Sequence, residues 1–306
     1  MKTLAFIGEC MIELRDAGGG AMHRTFGGDT LNSAICAECC LNGMDATVEY
    51  VTILGDDPFS SEMLAAWREE GIATEFVTRQ PGALPGLYAI RTDSSGERSF
   101  HYWRSESPAR ALLADAGAPA LSDVLVAFDL VFFSGITLAI MREAGRERLF
   151  ETLARIRARG GTVAFDSNYR PRLWSDEDMA RRAITRGTAA ATLILSSFDD
   201  ERMLFGDTSA EKSAERLHAL GAEEIVITNG AEACLVSLTG DTKVDVGSGQ
   251  WLVTPPVVAH PVDTTAAGDS FNAAYLADRL MGARAEAAAA QGAALAAQVI
   301  QQRGAS

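Results

Sequence analysis

The chain has 306 residues, 47% hydrophobic and 22% charged, with a formal net charge of −14. That balance excludes an extended disordered chain and fits one main domain with a large core. The acid excess excludes a long, phosphate-tracking basic surface, so nucleic acid is not an expected partner.

The N-terminal stretch MKTLAFIGECMIEL carries Glu9 and Glu13 inside its apolar run, which breaks the pattern of a signal peptide. No run reaches the roughly 18 apolar residues of a membrane helix, so a cytoplasmic protein with no membrane partner is expected. LAFIGE, at 4–9, reads as a buried strand, and 9-ECMIELRD-16 and 22-MHRTF-26 alternate as antiparallel strands. GGDTLNSA, from Gly27 to Ala34, sets two glycines before a helix start, with Asn32 one turn in. This is a turn-and-cap signal that also lets backbone approach a bound hydroxylated ligand. Cys36, Cys39 and Cys40 follow on that helix, but five cysteines in all and scattered His23, His101, His218 and His260 complete no four-ligand set. They are expected to be reduced, buried, small side chains.

VEYVTILG, at 48–55, is the next strand, and 86-GLYAIRTDSSGERSFHYWR-104 reads as two antiparallel runs around the polar loop DSSGE. Segments near 9–27 and 75–104 can form a small sheet projecting over the strand ends as a lid; ordinary edge strands are the other reading. LVFFSG, TVAFDSN, TLILSS and EIVITNG then alternate with helical stretches such as 143-EAGRERLFETLARIRARG-160. This predicts an α/β fold, a mainly parallel central sheet with helices on both faces, as a single domain over 1–306. Ligands then collect at the carboxyl ends of the strands, where DSNYRPRLW, from Asp166 to Trp174, falls.

The apolar 251-WLVTPPVVAHPV-262 leads into DTTAAGDSF, from Asp263 to Phe271, and a helical pattern follows. A helix beginning around Ala266 to Gly268 offers free backbone N–H groups and a positive dipole end to an anion such as phosphate. Asp269 then stands in the first turn, where an ionised carboxylate could take a proton from a hydroxyl attacking phosphorus. A Thr or Asp N-cap followed by a packing glycine is the structural alternative. An Ala-rich helix, EAAAAQGAALAAQVIQQRG, ends the chain. The sequence contains no GxxxxGK[ST], HExxH or GxSxG, and no GxGxxG after the first strand.

Together DTTAAGD and GGDTLNSA resemble the two signatures of the ribokinase-like (PfkB) carbohydrate kinases, in the same order and over essentially the whole chain. The resemblance implies a ribokinase-like fold, ATP and Mg2+ as cofactors, and Asp269 as catalytic base. The amides of Ala266, Ala267 and Gly268 would stabilise the transferred phosphoryl group. The chain departs from the family at Ala266, where Gly is usual, and at Phe198, where the family's N-x-x-E has Asn; Glu201 is retained, with an implied magnesium role through water. An alanine at 266 is tolerable if its backbone avoids positive φ.

GECMIEL, PGLYAI, FHYWR, SGITLAI, DSNYRPRLW and FDDE further resemble the 2-keto-3-deoxygluconate kinase subgroup, which shares the Ala variant. That implies sugar-acid contacts at Gly28, Asn32, Tyr88, Tyr102, Arg104 and Arg170, with Ser197, Thr228, Gly230 and Gly268 near the nucleotide. Arginine suits the substrate carboxylate; the structural alternatives are a solvated edge charge at Arg104 and an Arg170–Asp166 pair. The partners are thus a small sugar acid and ATP, with a lid-mediated homodimer expected by resemblance. A neutral-sugar kinase of fructose or ribose type, and a non-catalytic sugar-acid sensor, are the alternative functions.

Overall fold

Alternation along β1 (Lys2–Ile7) decides the layering: Leu4 and Phe6 enter one apolar core, Ala5 and Ile7 the other, and all four are fully buried. The computed structural model describes residues 1–92, 98–114, 118–240, 245 and 247–302. After β1 come β2 (Met11–Gly18), β3 (Ala21–Gly27), α1 (Asp29–Leu41), β4 (Ala46–Val51), β5 (Ile53–Gly55), α2 (Pro58–Glu69) and β6 (Thr78–Gln80). The middle of the chain forms β7 (Leu87–Thr92), β8 (Arg98–Trp103), α3 (Ala118–Leu125), β9 (Leu130–Ser134), α4 (Gly135–Ile140), α5 (Glu143–Ala158) and β10 (Thr162–Asp166). The rest is α6 (Glu177–Ala190), β11 (Leu193–Ser197), α7 (Phe198–Phe205), α8 (Ala210–Ala219), β12 (Glu224–Asn229), β13 (Glu232–Leu238), β14 (Gly249–Val253), α9 (Ala267–Leu280) and α10 (Ala285–Val299).

Eight strands make the main sheet in the order β14-β13-β12-β11-β10-β9-β1-β4. The six from β12 to β4 run parallel, while β13 and β14 are antiparallel additions at one edge. Strands buried on both faces must be apolar on both, which is why LVFFS in β9 is continuous: Leu130 and Phe132 join one core, Val131 and Phe133 the other. Phe6 and Phe132 are register partners and meet edge to face at 5.3 Å. The order reverses between β1 and β9, so their carboxyl ends open on a crevice where a ligand can enter.

A second, four-stranded sheet has the order β3-β2-β7-β8. Its two hairpin pairs are antiparallel as expected, but β2 and β7 pair parallel, because the chain returns to the small sheet only after passing through the main one. Its later part begins at Leu87, not near 75: Thr78–Gln80 instead pairs with Ile53–Gly55 in a separate two-stranded sheet. VEYVTILG is thereby split at Thr52, with β4 in the main sheet and β5 outside it. The DSSGE loop lies outside the described residues. In the C-terminal helices, small residues do permit close approach: a Cβ on Gly292 of α10 would meet the Phe271 carbonyl oxygen at 2.9 Å. Residues 303–306, including the end of the Ala-rich segment, are outside the described residues.

Candidate active site

Carboxyl ends of the main-sheet strands, the N-termini of α1 and α9, and one face of the small sheet enclose a cavity of about 1320 Å³. That is ample room for a small-molecule ligand. Gly28, Asn32, Tyr88, Tyr102, Arg104, Arg170, Ser197, Thr228, Ala266, Ala267, Gly268 and Asp269 all line it. Gly230 does not; it occupies a positive-φ turn between β12 and β13.

At its floor, Asn32 Nδ2 donates to Asp269 Oδ2 at 2.8 Å across the α1–α9 contact. Burial first, and then the neighbouring Asp29 carboxylate, push the Asp269 pKa up to about 7, against the Asn32 hydrogen bond and Arg170. Asp269 thus sits near the midpoint of its titration at neutral pH instead of being fully ionised, and a base poised there is well matched to proton transfer.

Helix α9 starts without a side-chain cap. Asp263 accepts from the Thr265 N–H at 2.9 Å in the loop before it, so the Asp or Thr N-cap expected as the structural alternative is not formed. Of the three amides implied in anion binding, that of Ala267 turns back to the Thr264 carbonyl at 3.3 Å. Those of Ala266 and Gly268 have no partner among the described residues, and the Asp269 amide joins them. A Cβ on Gly268 would meet nothing within 4 Å, so open space for an anion adjoins these donors. The expectation for Ala266 is corrected: its φ is +60°, in the left-handed region. The turn that exposes the α9 N-terminus requires this conformation whether or not a methyl group is present, at a cost of about 1 kcal/mol.

The two glycines before α1 serve chiefly the protein's own contacts. A Cβ on Gly28 would lie 2.2 Å from the Glu9 carbonyl oxygen, and one on Gly27 would lie 2.5 Å from the Tyr88 hydroxyl. Gly28 thus lets α1 close on the Glu9 backbone while still lining the cavity.

On the small-sheet wall, Tyr88 and Tyr102 are register partners stacked at 5.7 Å, and the Arg104 guanidinium lies 5.9 Å from the Tyr102 ring. Arg104 is no solvated edge charge, for it forms a buried ion pair with Glu9. Tyr88 donates to the buried Glu13, which also binds Arg15 and Thr25; burial and Glu13 push the Tyr88 hydroxyl well up, so it stays a donor. Arg170 does not pair with Asp166. It stands 3.7 Å from Asp200 and remains half-exposed, while Asp166 accepts from Asn272 at 2.7 Å and from the Asn168 amide at 2.9 Å. Burial and Asp200 push Asp166 well above the usual carboxylate range.

Over residues 1–306 the chain matches the profile of the pfkB family carbohydrate kinases. It belongs to this family. Among curated relatives it is 45% identical, over 99% of this chain and 96% of the other, to a 2-dehydro-3-deoxygluconokinase of Dickeya dadantii (strain 3937), and 44% identical over the same shares to that of Escherichia coli (strain K12). Among solved structures it is similar to a PfkB protein from Polaromonas sp. JS666, with a TM-score of 0.84 and 26% identity over 99% of this chain and 96% of the other. The ribokinase-like α/β fold read from the sequence is therefore the fold of this carbohydrate kinase.

Glu201, expected to act on magnesium through water, stands behind the cavity wall. It does not line the cavity: its buried carboxylate accepts from Ser196 Oγ at 2.5 Å and pairs with Arg216, so it reaches the cavity wall only through Ser196. Phe198, in the Asn position, packs against the core behind the sheet. Cavity oxygens next to Ser197 come instead from Asp199 and Asp200. These are hard donors suited to magnesium's water shell, and among the described residues no cluster of three or more His, Cys, Asp or Glu forms a protein-only cage. Cys39 is exposed, contrary to expectation, whereas burial pushes the Cys36 thiol up to about 12 and that of Cys40 to about 11, keeping both protonated. Among the described residues no helix is long and apolar enough to cross a membrane.

Sequence reasoning passed over Glu9, Asp29, Asn168, Arg110 and Arg172, all of which line the cavity. Glu9, Asp29, Asn168 and Arg172 lie inside the motifs already singled out, and their position at strand or helix ends was the available signal. Arg110 carried none, because the short turn from Pro108 to Ala111 brings it in only through tertiary packing.

Proposed function

We propose that the protein transfers the γ-phosphoryl group of ATP to the 6-hydroxyl of 2-dehydro-3-deoxygluconate (2-keto-3-deoxygluconate). One observation carries the reading: Asp269, with a pKa near 7, accepts from Asn32 at the uncapped start of α9, where the amides of Ala266 and Gly268 have no partner among the described residues, in this cavity. The substrate name comes from the relatives at 45% and 44% identity. Four arginines line the cavity, Arg104 already paired with Glu9 and Arg170 beside Asp200, and they are the side chains suited to a sugar carboxylate brought out of water.

In this reading Asp269 accepts the hydroxyl proton as its oxygen bonds to the γ-phosphorus. The bridging P–O bond breaks and its electron pair leaves on ADP. The amides of Ala266 and Gly268 stabilise the charge on the transferred oxygens, and Ser197 and Thr228 flank the nucleotide. Bound magnesium would neutralise β- and γ-phosphate charge, near Asp199 and Asp200 and with Glu201 acting at one remove. Arg104 and Arg170 hold the carboxylate end, fixing which hydroxyl reaches phosphorus. The small sheet serves as the lid that excludes water. Five unpaired cysteines accord with a cytoplasmic setting.

An ADP-release assay across gluconate-derived keto acids, fructose, ribose and adenosine tests this. Keto-acid-dependent release well above the rest is expected. Release with fructose or ribose at equal or greater efficiency overturns the substrate, and no release with any acceptor overturns the kinase reading.

A further inference from the structure

Asp29 is a second carboxylate at the cavity floor that the proposed reaction does not use. It opens α1, and its Oδ2 accepts from Ser134 Oγ at 2.5 Å and from Asn168 Nδ2 at 3.0 Å. Ser134 caps α4 at the end of β9, and Asn168 follows β10, so three separate elements fix this one side chain. Three residues on, Asn32 holds Asp269; positions i and i+3 share a helix face, so α1 presents a carboxylate and the Asp269 anchor side by side. A carboxylate kept beside a phosphate site is electrostatically costly.

We propose that Asp29, locked by Ser134 and Asn168 on the α1 face that also anchors Asp269, is a positioning residue for phosphoryl transfer: its carboxylate keeps Asp269 able to receive the hydroxyl proton near neutral pH. This rests on Asp269 being the base. Burial alone would disfavour the Asp269 anion, and Asp29 is the largest charged contribution in the same direction. The other groups facing Asp269 are Asn32 and Cys36 from α1, Arg170 from the loop after β10, and Asp166 at the end of β10. Arg170 and Asn32 favour the anion, and Cys36 is held as a thiol, so Asp29 is the countering charge supplied by α1. A weaker base would be ionised at lower pH but would bind the transferred proton less strongly in the transition state.

The experiment is the pH profile of kcat/KM for the keto acid in the full-length wild type, Asp29→Asn, Asp29→Glu and Asp269→Asn. With Asp29→Asn the acidic limb is expected to move to lower pH, so that the ratio of the rate at about pH 6 to that at about pH 8 rises at least about threefold, while the plateau falls. Asp29→Glu restores the wild-type limb. An Asp29→Asn enzyme whose profile keeps the wild-type shape at a uniformly reduced rate overturns the proposal, because a merely structural role does that. If Asp269→Asn retains near-normal turnover, the base assignment itself fails, a separate outcome. Should the amide variant not fold, Asp29→Ser carries the same expectation and is judged by the same ratio.

Discussion

The two walls of the cavity are built differently. The floor, from α1, α9 and the main-sheet strand ends, rests on cores buried on both faces, and its polar groups bind one another at fixed distances: Asn32 to Asp269, Ser134 and Asn168 to Asp29, Asn272 to Asp166. The small-sheet wall joins one core through Ile12, with Leu14, Phe26 and Leu87 packed against it, and carries ion pairs and stacked rings, with Tyr102 and Trp103 exposed. On the proposed reading, the chemistry that tolerates little displacement falls on the floor, and the small-sheet wall contributes to recognition.

Substitutions should separate the two walls. The largest effect is expected at the floor: Asp269→Asn lowers kcat at least ~100-fold while leaving both Michaelis constants within a few fold. Steady-state kinetics with both substrates checks this, and near-normal turnover would move the chemistry elsewhere. On the other wall, Arg104→Ala should raise KM for the keto acid roughly ten- to a hundredfold, the scale of a charge-assisted hydrogen bond, with KM for ATP little changed, and Arg170→Ala, on the loop after β10, should do the same. Equal effects on both constants would mean that the walls are not functionally distinct.

A gentler probe is pH. The Asp269 pKa is raised to about 7 in the folded chain, so the reactive anion is lost as pH falls through that value. Wild-type kcat/KM should drop about tenfold per pH unit on the acid side, as a rate-against-pH series will show. The smallest effect belongs to Ala266→Gly. Relieving the left-handed alanine at φ +60° should raise the melting temperature by about 2 °C or less, measured by thermal unfolding, with kcat close to wild type.

Much of the site was legible because its residues cluster in short motifs at element ends. GGDTLN and DTTAAGD each place a small-residue turn before a helix, and that local chemistry suffices to propose an anion site and a carboxylate. Glu201 shows the limit: the FDDE spacing names the residue, but Arg216, fifteen positions away on another helix, claims its carboxylate. Arg104 is a second case, since nothing between residues 9 and 104 announces the Glu9 pair.

By itself the sequence determined the layered fold and the candidate base, since continuous apolar strands must be covered on both faces and a helix start exposes its amides wherever it occurs. Only the tertiary structure decided which charges meet. It set the Arg104–Glu9 pair, the parallel β2–β7 contact, the strained turn at Ala266 and the proximity of Asp29 to Asp269. Proton affinity and ion pairing depend on burial and distance, and in this chain both are fixed by segments up to 237 residues apart, as in the Asn32–Asp269 hydrogen bond.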